Sequence, residues 1–438
     1  MKTHSDERQE TPSSRVARPL RRGRRGWAAG AARAALASSA AVLALGCVLE
    51  IDAPGATGSG GAGGSGTASG GAGGSGTASS GAGGEGGAAS SSASGGSCPG
   101  ETDCPGACVD TGSDPANCGA CGNACAAGES CCEGTCADPS SDGLHCGACG
   151  HGCQGGLCSD AACQPVVLAA AAGAPLAVAV DATHVYWTHR DTDEIMSAPI
   201  DGGEAVTIAE SCPSFGIEVS ATDATWTCAE LGTVTRAPLE GGEPVPLATG
   251  LNLPMGLALD STSVYVGDDS AVKRVPIGGG EAVQLAVGSG SRRLEIDDTH
   301  VYWTNADAST IRKVPIGGGE DVILATGYFE SHEVALDATT VYWTTPGEGP
   351  SVGSVNKVPK AGGTPVALAT GQASPFFIAV DGTHVYWVNV AGGEIKRVPV
   401  DGGEAVVVIS GVSPNDLAVD GTSIYWTDES GFVMKLAK

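Results

Sequence analysis

The sequence predicts an all-β protein whose main domain is a seven-bladed β-propeller, preceded by a small disulfide-rich module and a disordered Gly/Ser linker. Segments related to Val301-Tyr302-Trp303-Thr304 occur seven times, at intervals of 37 to 44 residues. This interval is typical of a propeller blade of four short strands. Gly-Gly pairs such as Gly318-Gly319 recur between the predicted third and fourth strands, where a tight hairpin requires a positive φ. Pro and Gly recur too often for helices.

Residues 1–46 have the features of an export signal. Six Arg residues between positions 15 and 25 precede an apolar run, Ala34 to Gly46, which is too short to span a bilayer comfortably. The run ends in Ala44-Leu45-Gly46-Cys47, which resembles a bacterial lipobox. The resemblance implies lipidation of Cys47 and, because Val48 rather than Asp follows it, sorting to the outer membrane. The alternative is an ordinary signal peptide followed by an incidental Cys.

Residues 47–97 are expected to form a lipidated Cys followed by a flexible linker. Nearly all of them are Gly, Ala, Ser or Thr, so they cannot bury a core. We expect this segment to connect the lipid anchor to the folded part of the chain.

Residues 98–163 are predicted to be a module of cysteine-rich repeats. Five Cys (104, 108, 118, 121 and 125) recur 28 residues later, and the segment contains fourteen of the seventeen Cys. The pattern resembles cysteine-rich repeats of secreted bacterial lipoproteins. Disulfides are the favoured interpretation outside the cytoplasm, and a zinc site built on two Cys-x-x-Cys pairs is the alternative. The pairing cannot be deduced from the spacing.

Residues 164–438 contain the propeller repeats. The last repeat lacks a fourth strand, and the segment Pro165 to Ala169 matches the fourth strand of an earlier repeat. The N-terminal segment is therefore predicted to close the ring beside the C-terminal strands. The repeats resemble the YWTD propellers of the low-density-lipoprotein-receptor type, most literally at Tyr425 to Asp428, and more loosely the NHL propellers of bacteria. The resemblance implies a fold and leaves the function open.

The charge excludes some partners. The chain has a net charge of −26 and its leader is basic, so the exported part is even more acidic. Such a surface argues against nucleic acid and against adsorption to anionic lipid, which leaves the lipid anchor as the only membrane contact. No common catalytic, phosphate-binding or calcium-binding motif is present, and neither a cofactor nor a metal is predicted. The repeated His184, His300 and His384 are interpreted as turn residues rather than metal ligands.

The variable loops at one end of the propeller are predicted to bind the ligand. Residues at the entries of the fourth to sixth blades gather aromatic, Arg and His side chains there; they are Arg292, Arg293, Tyr328, Phe329, His332, Phe376 and Phe377. This combination suits a protein or a glycan, although the two adjacent Phe could instead fill the space between blades. The predicted function is a surface-anchored, non-catalytic binding module in the cell envelope.

Two Glu residues suggest an alternative function. Glu218 and Glu295 occupy an inner-strand position that is Ala in the other blades. A carboxylate there requires a partner, and pairing with an Arg is favoured over a role as general base. The alternative is a propeller lyase or lactonase resembling virginiamycin B lyase, with His332 and either Glu295 or Glu333 as acid–base groups.

Cys212 and Cys228, the only Cys of the propeller, are predicted to form a disulfide within the second blade. They flank two strands that are neighbours in the predicted sheet. The alternative is that either Cys pairs with the cysteine-rich module.

Overall fold

The structure of the chain is a computed structural model that describes residues 98–170, 173–288, 293–306, 308–347 and 352–438. Cys47, the leader, the linker and Arg292 lie outside these residues. All described secondary structure is β, as predicted. In this part of the chain there is no helix with the length and hydrophobicity to cross a membrane.

The N-terminal module consists of three small hairpins held by disulfides. Its strands are β1 (Thr102–Cys104), β2 (Ala107–Val109), β3 (Ser130–Cys132), β4 (Thr135–Ala137), β5 (Cys158–Ser159) and β6 (Ala162–Cys163). The disulfides are Cys98–Cys108, Cys104–Cys121, Cys118–Cys131, Cys125–Cys136, Cys132–Cys149, Cys146–Cys158 and Cys153–Cys163. They use all fourteen Cys of the module, so no thiolate remains for the alternative zinc site.

The propeller contains seven antiparallel sheets of four strands, the predicted number of blades. Blade 1 contains β8 (Pro175–Val180), β9 (His184–His189), β10 (Glu194–Pro199) and β11 (Val206–Glu210). Blade 2 contains β12 (Ile217–Val219), β13 (Asp223–Cys228), β14 (Thr233–Pro238) and β15 (Val245–Ala248). Blade 3 contains β16 (Gly256–Leu259), β17 (Ser263–Gly267), β18 (Ala271–Pro276) and β19 (Val283–Val287).

The remaining four blades repeat this order. Blade 4 contains β20 (Leu294–Ile296), β21 (His300–Asn305), β22 (Thr310–Pro315) and β23 (Val322–Thr326). Blade 5 contains β24 (Val334–Leu336), β25 (Thr340–Thr345), β26 (Gly353–Pro359) and β27 (Val366–Gln372). Blade 6 contains β28 (Pro375–Val380), β29 (His384–Asn389), β30 (Glu394–Pro399) and β31 (Val406–Ser410). Blade 7 contains β32 (Pro414–Val419), β33 (Ser423–Asp428), β34 (Phe432–Ala437) and β7 (Val166–Ala170).

The ring is closed by the predicted N-terminal strand. β7 pairs antiparallel with β34, with Ala169 opposite Val433. The outer strand of blade 7 therefore comes from the start of the propeller and its other three strands from the end. This pairing covers the edge that the last repeat alone would leave open.

The hydrophobic core lies between neighbouring blades. The Trp of each repeat is fully buried and packs in one cluster with the Tyr of the preceding blade, as Trp303 does with Tyr265 and Trp343 with Tyr302. Blade 2 has Thr225 in place of Tyr, and the following blade has Val266 in place of Trp. The two departures from the repeat therefore meet at one interface and reduce the aromatic packing there together.

Where the repeat has its Tyr and Thr, these residues fix the two ends of the blade. The Tyr302 hydroxyl donates a hydrogen bond of 2.9 Å to Asp297 in the turn between the first two strands. The Thr304 hydroxyl donates to the carbonyl of His332 in the next blade, 3.3 Å away, and Thr227 does the same to Met255 at 2.8 Å. The Tyr thus holds the turn, while the Thr positions the segment that enters the next blade.

Blade 2 has its own covalent link. Cys212 and Cys228 form the disulfide expected from the sequence, with Cα atoms 5.8 Å apart. It joins the segment before β12 to the end of β13, in the blade that lacks the Tyr.

Candidate functional site

Each blade contributes its entry segment to one shared pocket at the centre of the ring. Here the entry segment means the residues just before or at the start of the first strand of a blade. The pocket has a volume of about 230 Å³ and is lined by Leu176, Ala177, Arg190, Phe215, Met255, Arg293, His332, Phe377 and Asn415. Because the loops that enter the blades emerge at this end, we call it the mouth. Its lining is mainly apolar, with the two Arg, His332 and Asn415 as polar groups.

Below the mouth, the first strands of six blades, all but blade 3, line a channel of about 300 Å³. Alternate residues of a strand point to the same side, so equivalent positions of the seven first strands form two successive layers around the ring axis. The upper layer contains Ala177, Gly216, Gly256, Arg293, Glu333, Phe377 and Asp416. The lower layer contains Ala179, Glu218, Ala258, Glu295, Ala335, Ala379 and Ala418.

Arg293 lies across the channel and holds two carboxylates of other blades. Its Nε is 3.2 Å from Glu333 of blade 5, and its guanidinium also contacts Asp416 of blade 7. Both carboxylates bridge to the next blade, since Glu333 accepts from the Ile378 amide at 3.0 Å and Asp416 from the Val178 amide at 2.9 Å. Burial acts to lower the pKa of Arg293, but Asp416 and Glu333 outweigh it and hold this pKa above its usual value. Arg293 is therefore a fixed cation that links blades 4, 5 and 7.

Glu218 and Glu295 face the same channel without such partners. No hydrogen bond or ion pair joins either carboxyl to a residue that the structure describes. Burial raises the pKa of Glu218 to about 7, with Arg293 acting in the opposite direction. Burial, followed by the charges of Glu218 and Glu333, raises the pKa of Glu295 to about 8. The expected pairing of these two residues with an Arg was therefore wrong in detail, because Arg293 contacts Glu333 and Asp416 instead.

Glu333 also has a raised pKa. Burial raises it to about 7, although Arg293 opposes the shift. Burial thus raises the pKa values of three carboxyls of the channel above the usual range of Glu.

The mouth brings together three of the residues predicted as ligand contacts, namely Arg293, His332 and Phe377. Phe376 lies beside them, with its ring centroid 4.2 Å from that of His332. Tyr328 packs edge-on against Trp343 at 4.8 Å, so it belongs to the core between blades 4 and 5. Phe329 is 52 % exposed and does not line the pocket.

Other mouth residues escaped the sequence-based prediction. Phe215, Met255 and Asn415 line the pocket from blades 2, 3 and 7, and Arg190 reaches it from the loop between β9 and β10. Their shared position in the repeat could have identified them from the sequence. In each blade, one residue of the first strand pairs with the Trp position of the second strand. Two residues before it stand Phe215, Met255, His332 and Asn415. Asp416 was missed because its role depends on Arg293, a residue of another blade.

The opposite end of the ring, called here the turn face, consists of the turns between the first and second strands and between the third and fourth. The imidazoles of His184, His300 and His384 each contact the preceding Thr hydroxyl, at 2.8 to 3.0 Å. Each His is thus engaged within its own turn, in a different blade.

Comparisons with known proteins agree on the fold. Residues 89–165 match the profile of the stigma-specific STIG1-like protein family. A comparison with curated proteins finds no match. Virginiamycin B lyase from Staphylococcus aureus, in a catalytically inactive form with quinupristin, aligns with a TM-score of 0.55 and 15% identity. This alignment covers 63% of the present chain and 98% of the lyase.

Two further solved structures are similar. A streptogramin B lyase structure has a TM-score of 0.54 and 14% identity, covering 62% of this chain and 97% of the lyase. Kuenenia stuttgartiensis hydrazine synthase has a TM-score of 0.52 and 15% identity, covering 60% of this chain and 96% of the other. At these identities the likeness establishes the propeller fold and leaves the activity open.

Proposed function

We propose that the chain is an envelope-anchored binding protein whose mouth receives an apolar side chain of a partner protein. The observation that carries the proposal is the pocket to which the entry segments of all seven blades contribute. Its walls are formed largely by Leu176, Phe215, Met255 and Phe377. A pocket of this size and polarity suits a single anchoring side chain, as buried centres of protein interfaces commonly contain.

The surface around the mouth favours a protein over a glycan. Phe215 and Phe329 are exposed on entry segments, as is Leu253, and Leu231 and Val390 are exposed on the loops between second and third strands. These loops emerge at the same end of the ring. Aliphatic side chains offer no stacking platform for a sugar ring, whereas exposed apolar residues around a pocket are typical of protein interaction sites. The Arg190 side chain has no ion pair with a described residue, so it is available to a carboxylate of the partner.

A test begins with random-peptide display on the full chain. Phe215→Ser should reduce the binding of selected peptides at least tenfold, because it removes an apolar wall of the pocket. Val366→Ser is the matched control, since Val366 is similarly exposed on an outer strand far from the mouth. Equal binding by both variants, or selection of peptides without apolar residues, would refute the proposed site.

The proposed location is the outer membrane, through a lipid on Cys47. The basic leader, the apolar run and the Gly-rich linker support this proposal. Cys47→Ser should release the protein into the soluble fraction after cell fractionation, whereas wild type stays with membranes. Retention of the variant would contradict lipid anchoring.

A lyase or lactonase is the second candidate, supported by the raised pKa values of Glu295 and Glu333 below the mouth. Carboxyls that titrate near neutral pH are suited to general acid–base catalysis. The binding function is preferred because Glu333 is held by Arg293 and the Ile378 amide. Linearisation of a streptogramin B by the full chain, and its loss in Glu333→Gln, would establish the enzyme instead.

A further inference from the structure

A basic side chain closes the gap between most neighbouring blades at the turn face. In six blades the third strand contains Lys or Arg opposite the Tyr position of the second strand; these residues are Arg236, Arg274, Lys313, Lys357, Arg397 and Lys435. Blade 1 has Ser197 at this position, opposite Tyr186. The repeat therefore lacks its cation in one blade only.

Five of these cations cap a backbone carbonyl of the following blade. Arg236 donates to Ile277 at 3.0 Å and Arg274 to Ile316 at 3.2 Å. The same bond joins Lys313 to Lys360 at 2.7 Å, Lys357 to Val400 at 2.6 Å and Lys435 to Ile200 at 2.9 Å. Each acceptor is at the same position of its repeat, just after the third strand. The bond is thus a general device for joining neighbouring blades.

Between blades 6 and 7 another group caps the carbonyl. Arg397 turns to the Tyr386 hydroxyl, and the Lys438 carbonyl is bonded to His151 Nε2 of the disulfide-rich module at 2.7 Å. His151 Nδ1 is 2.6 Å from the Cys146 carbonyl. Both ring nitrogens of His151 are therefore engaged with backbone carbonyls, and this imidazole lies where a Lys or Arg caps the carbonyl in other blades.

The remaining carbonyl is that of Leu239 in blade 2. It accepts no hydrogen bond from any residue within the described ranges. In place of the missing cation there is a cleft of about 660 Å³ between blades 1 and 2, whose lining includes Asp181, Tyr186, Ser197, Leu239 and Glu240. The Asp–Tyr pair of the repeat is retained in blade 1, where the Tyr186 hydroxyl donates a hydrogen bond of 2.7 Å to Asp181.

Two equivalent positions show how a cation fits beside this Asp–Tyr pair. Lys360 lies 3.0 Å from Asp297 and 5.3 Å from the Tyr302 ring centroid. Lys438 lies 2.7 Å from Asp381 and 5.4 Å from the Tyr386 ring centroid. Leu239 stands at the corresponding position of blade 2, so Asp181 has no such cation. The cleft therefore combines an uncapped carbonyl, an Asp–Tyr pair and Glu240 at its edge.

We propose that the cleft between blades 1 and 2 binds a Lys or Arg side chain of a partner protein. Its cationic head would donate to the Leu239 carbonyl and lie beside Asp181, while its aliphatic part contacts Tyr186 and Leu239. The net charge of −26 attracts basic partners in general. This site lies on the turn face and is independent of the mouth.

The test uses acetyl-Gly-Arg-Gly-amide as the probe and acetyl-Gly-Gln-Gly-amide as its uncharged control. Titration of the full chain, followed by calorimetry or NMR, should show saturable binding of the Arg peptide with a stoichiometry of one and at least tenfold weaker binding of the Gln peptide. Absence of saturable Arg-peptide binding would refute the proposal.

Two variants test the position of the probe. Ser197→Arg supplies the cation found in the other blades, so it should abolish binding of the Arg peptide and raise the melting temperature. Val366→Ser, on an outer strand of blade 5, is the control and should leave binding unchanged. Lys357→Ser should open an equivalent cleft between blades 5 and 6 and raise the stoichiometry to two. Undiminished binding by Ser197→Arg would place the probe elsewhere and overturn the assignment, even if Lys357→Ser does not fold.

Discussion

The pKa values of carboxylates shift in opposite directions at the turn face and in the channel below the mouth. At the turn face, hydrogen bonds from two backbone amides, a Thr and a Tyr outweigh burial and lower the pKa of Asp181, and Asp260 and Asp337 behave alike. In the channel below the mouth, burial dominates and the pKa values of Glu218, Glu295 and Glu333 are raised. The number of donors around each carboxylate accounts for the difference.

This contrast separates the scaffold from the site. The Asp-x-Thr turn recurs in six blades, with Ser220 in place of the Asp in blade 2, and each copy satisfies its own carboxylate. The channel residues differ from blade to blade, and Glu333 and Asp416 share a partner, Arg293, that comes from another blade. Residues that differ between equivalent positions of the blades are therefore concentrated at the mouth and the channel below it, and we propose that binding occurs at the mouth.

Removal of Arg293, the cation that Glu333 and Asp416 share, should have the largest effect on stability. Arg293→Met should destabilise the protein by about 3 to 5 kcal/mol at pH 8.5, because Glu333 and Asp416 lose their partner. The loss should shrink at pH 5.5, because Glu333, whose pKa burial raises to about 7, is protonated there. Urea unfolding at both pH values measures this, with Arg190→Met as a control that changes little; equal losses at both pH values would contradict the assigned cause.

Blade 2 provides the next largest effect. Replacing Cys212 and Cys228 together by Ala should cost about 3 kcal/mol, the chain-entropy estimate for a loop of this length. The blade has Thr225 in place of the Tyr that binds the turn Asp in other blades. Thermal unfolding of the double variant measures the loss, and an unchanged melting temperature would show that the link is dispensable.

A single turn of the scaffold should contribute less. Asp297→Asn weakens the bonds to the Tyr302 hydroxyl, the Thr299 amide and Lys360, and we expect a loss of about 1 to 2 kcal/mol at pH 7. Because the pKa of Asp297 is lowered, this contribution is present above the unfolded pKa and disappears as the pH falls through the folded value. Asp298→Asn in the same turn is the control, and similar losses for both variants would contradict the prediction.

The channel Glu residues should show the opposite pH dependence. Their pKa values in the folded state exceed those in the unfolded state, so the unfolded chain loses these protons first as the pH rises from about 5 to 8. Wild-type stability therefore falls over this range, by about 1.4 kcal/mol per pH unit for each proton that only the folded chain keeps. Glu295→Ala, which supplies the residue of five other blades, should raise the melting temperature at pH 8 and flatten the profile. A steeper profile in this variant would show that Glu295 has an unrecognised partner.

The sequence was sufficient for the fold because each blade repeats its own local signals. The Tyr-Trp-Thr segments, the Gly-Gly turns and the match between residues 165–169 and a fourth strand predicted seven blades and the closing strand. The Cys212–Cys228 pair followed from two neighbouring strands. In each case the evidence lay within one repeat or in the comparison of two repeats.

The site was predictable only in part, because its contacts cross the ring. Arg293 and His332 were chosen for their chemistry, and both line the mouth. Their surroundings depend on residues far apart in the chain, such as Asp416 and Phe215. Tyr328 resembled the mouth aromatics in sequence, yet one T-shaped contact with Trp343 places it in the core.

The pairing of β7 with β34 also governs the order in which the chain can fold. β7 is synthesised before every other strand of the propeller, but its partner is complete only when residue 437 is available. The first six blades can assemble from consecutive strands, whereas blade 7 requires a contact across the whole length of the ring, which carries a large loop-closure entropy and slows folding. Until that contact forms, the edges of β7 and β34 are exposed together, so the interval before closure is when the protein is most prone to aggregate.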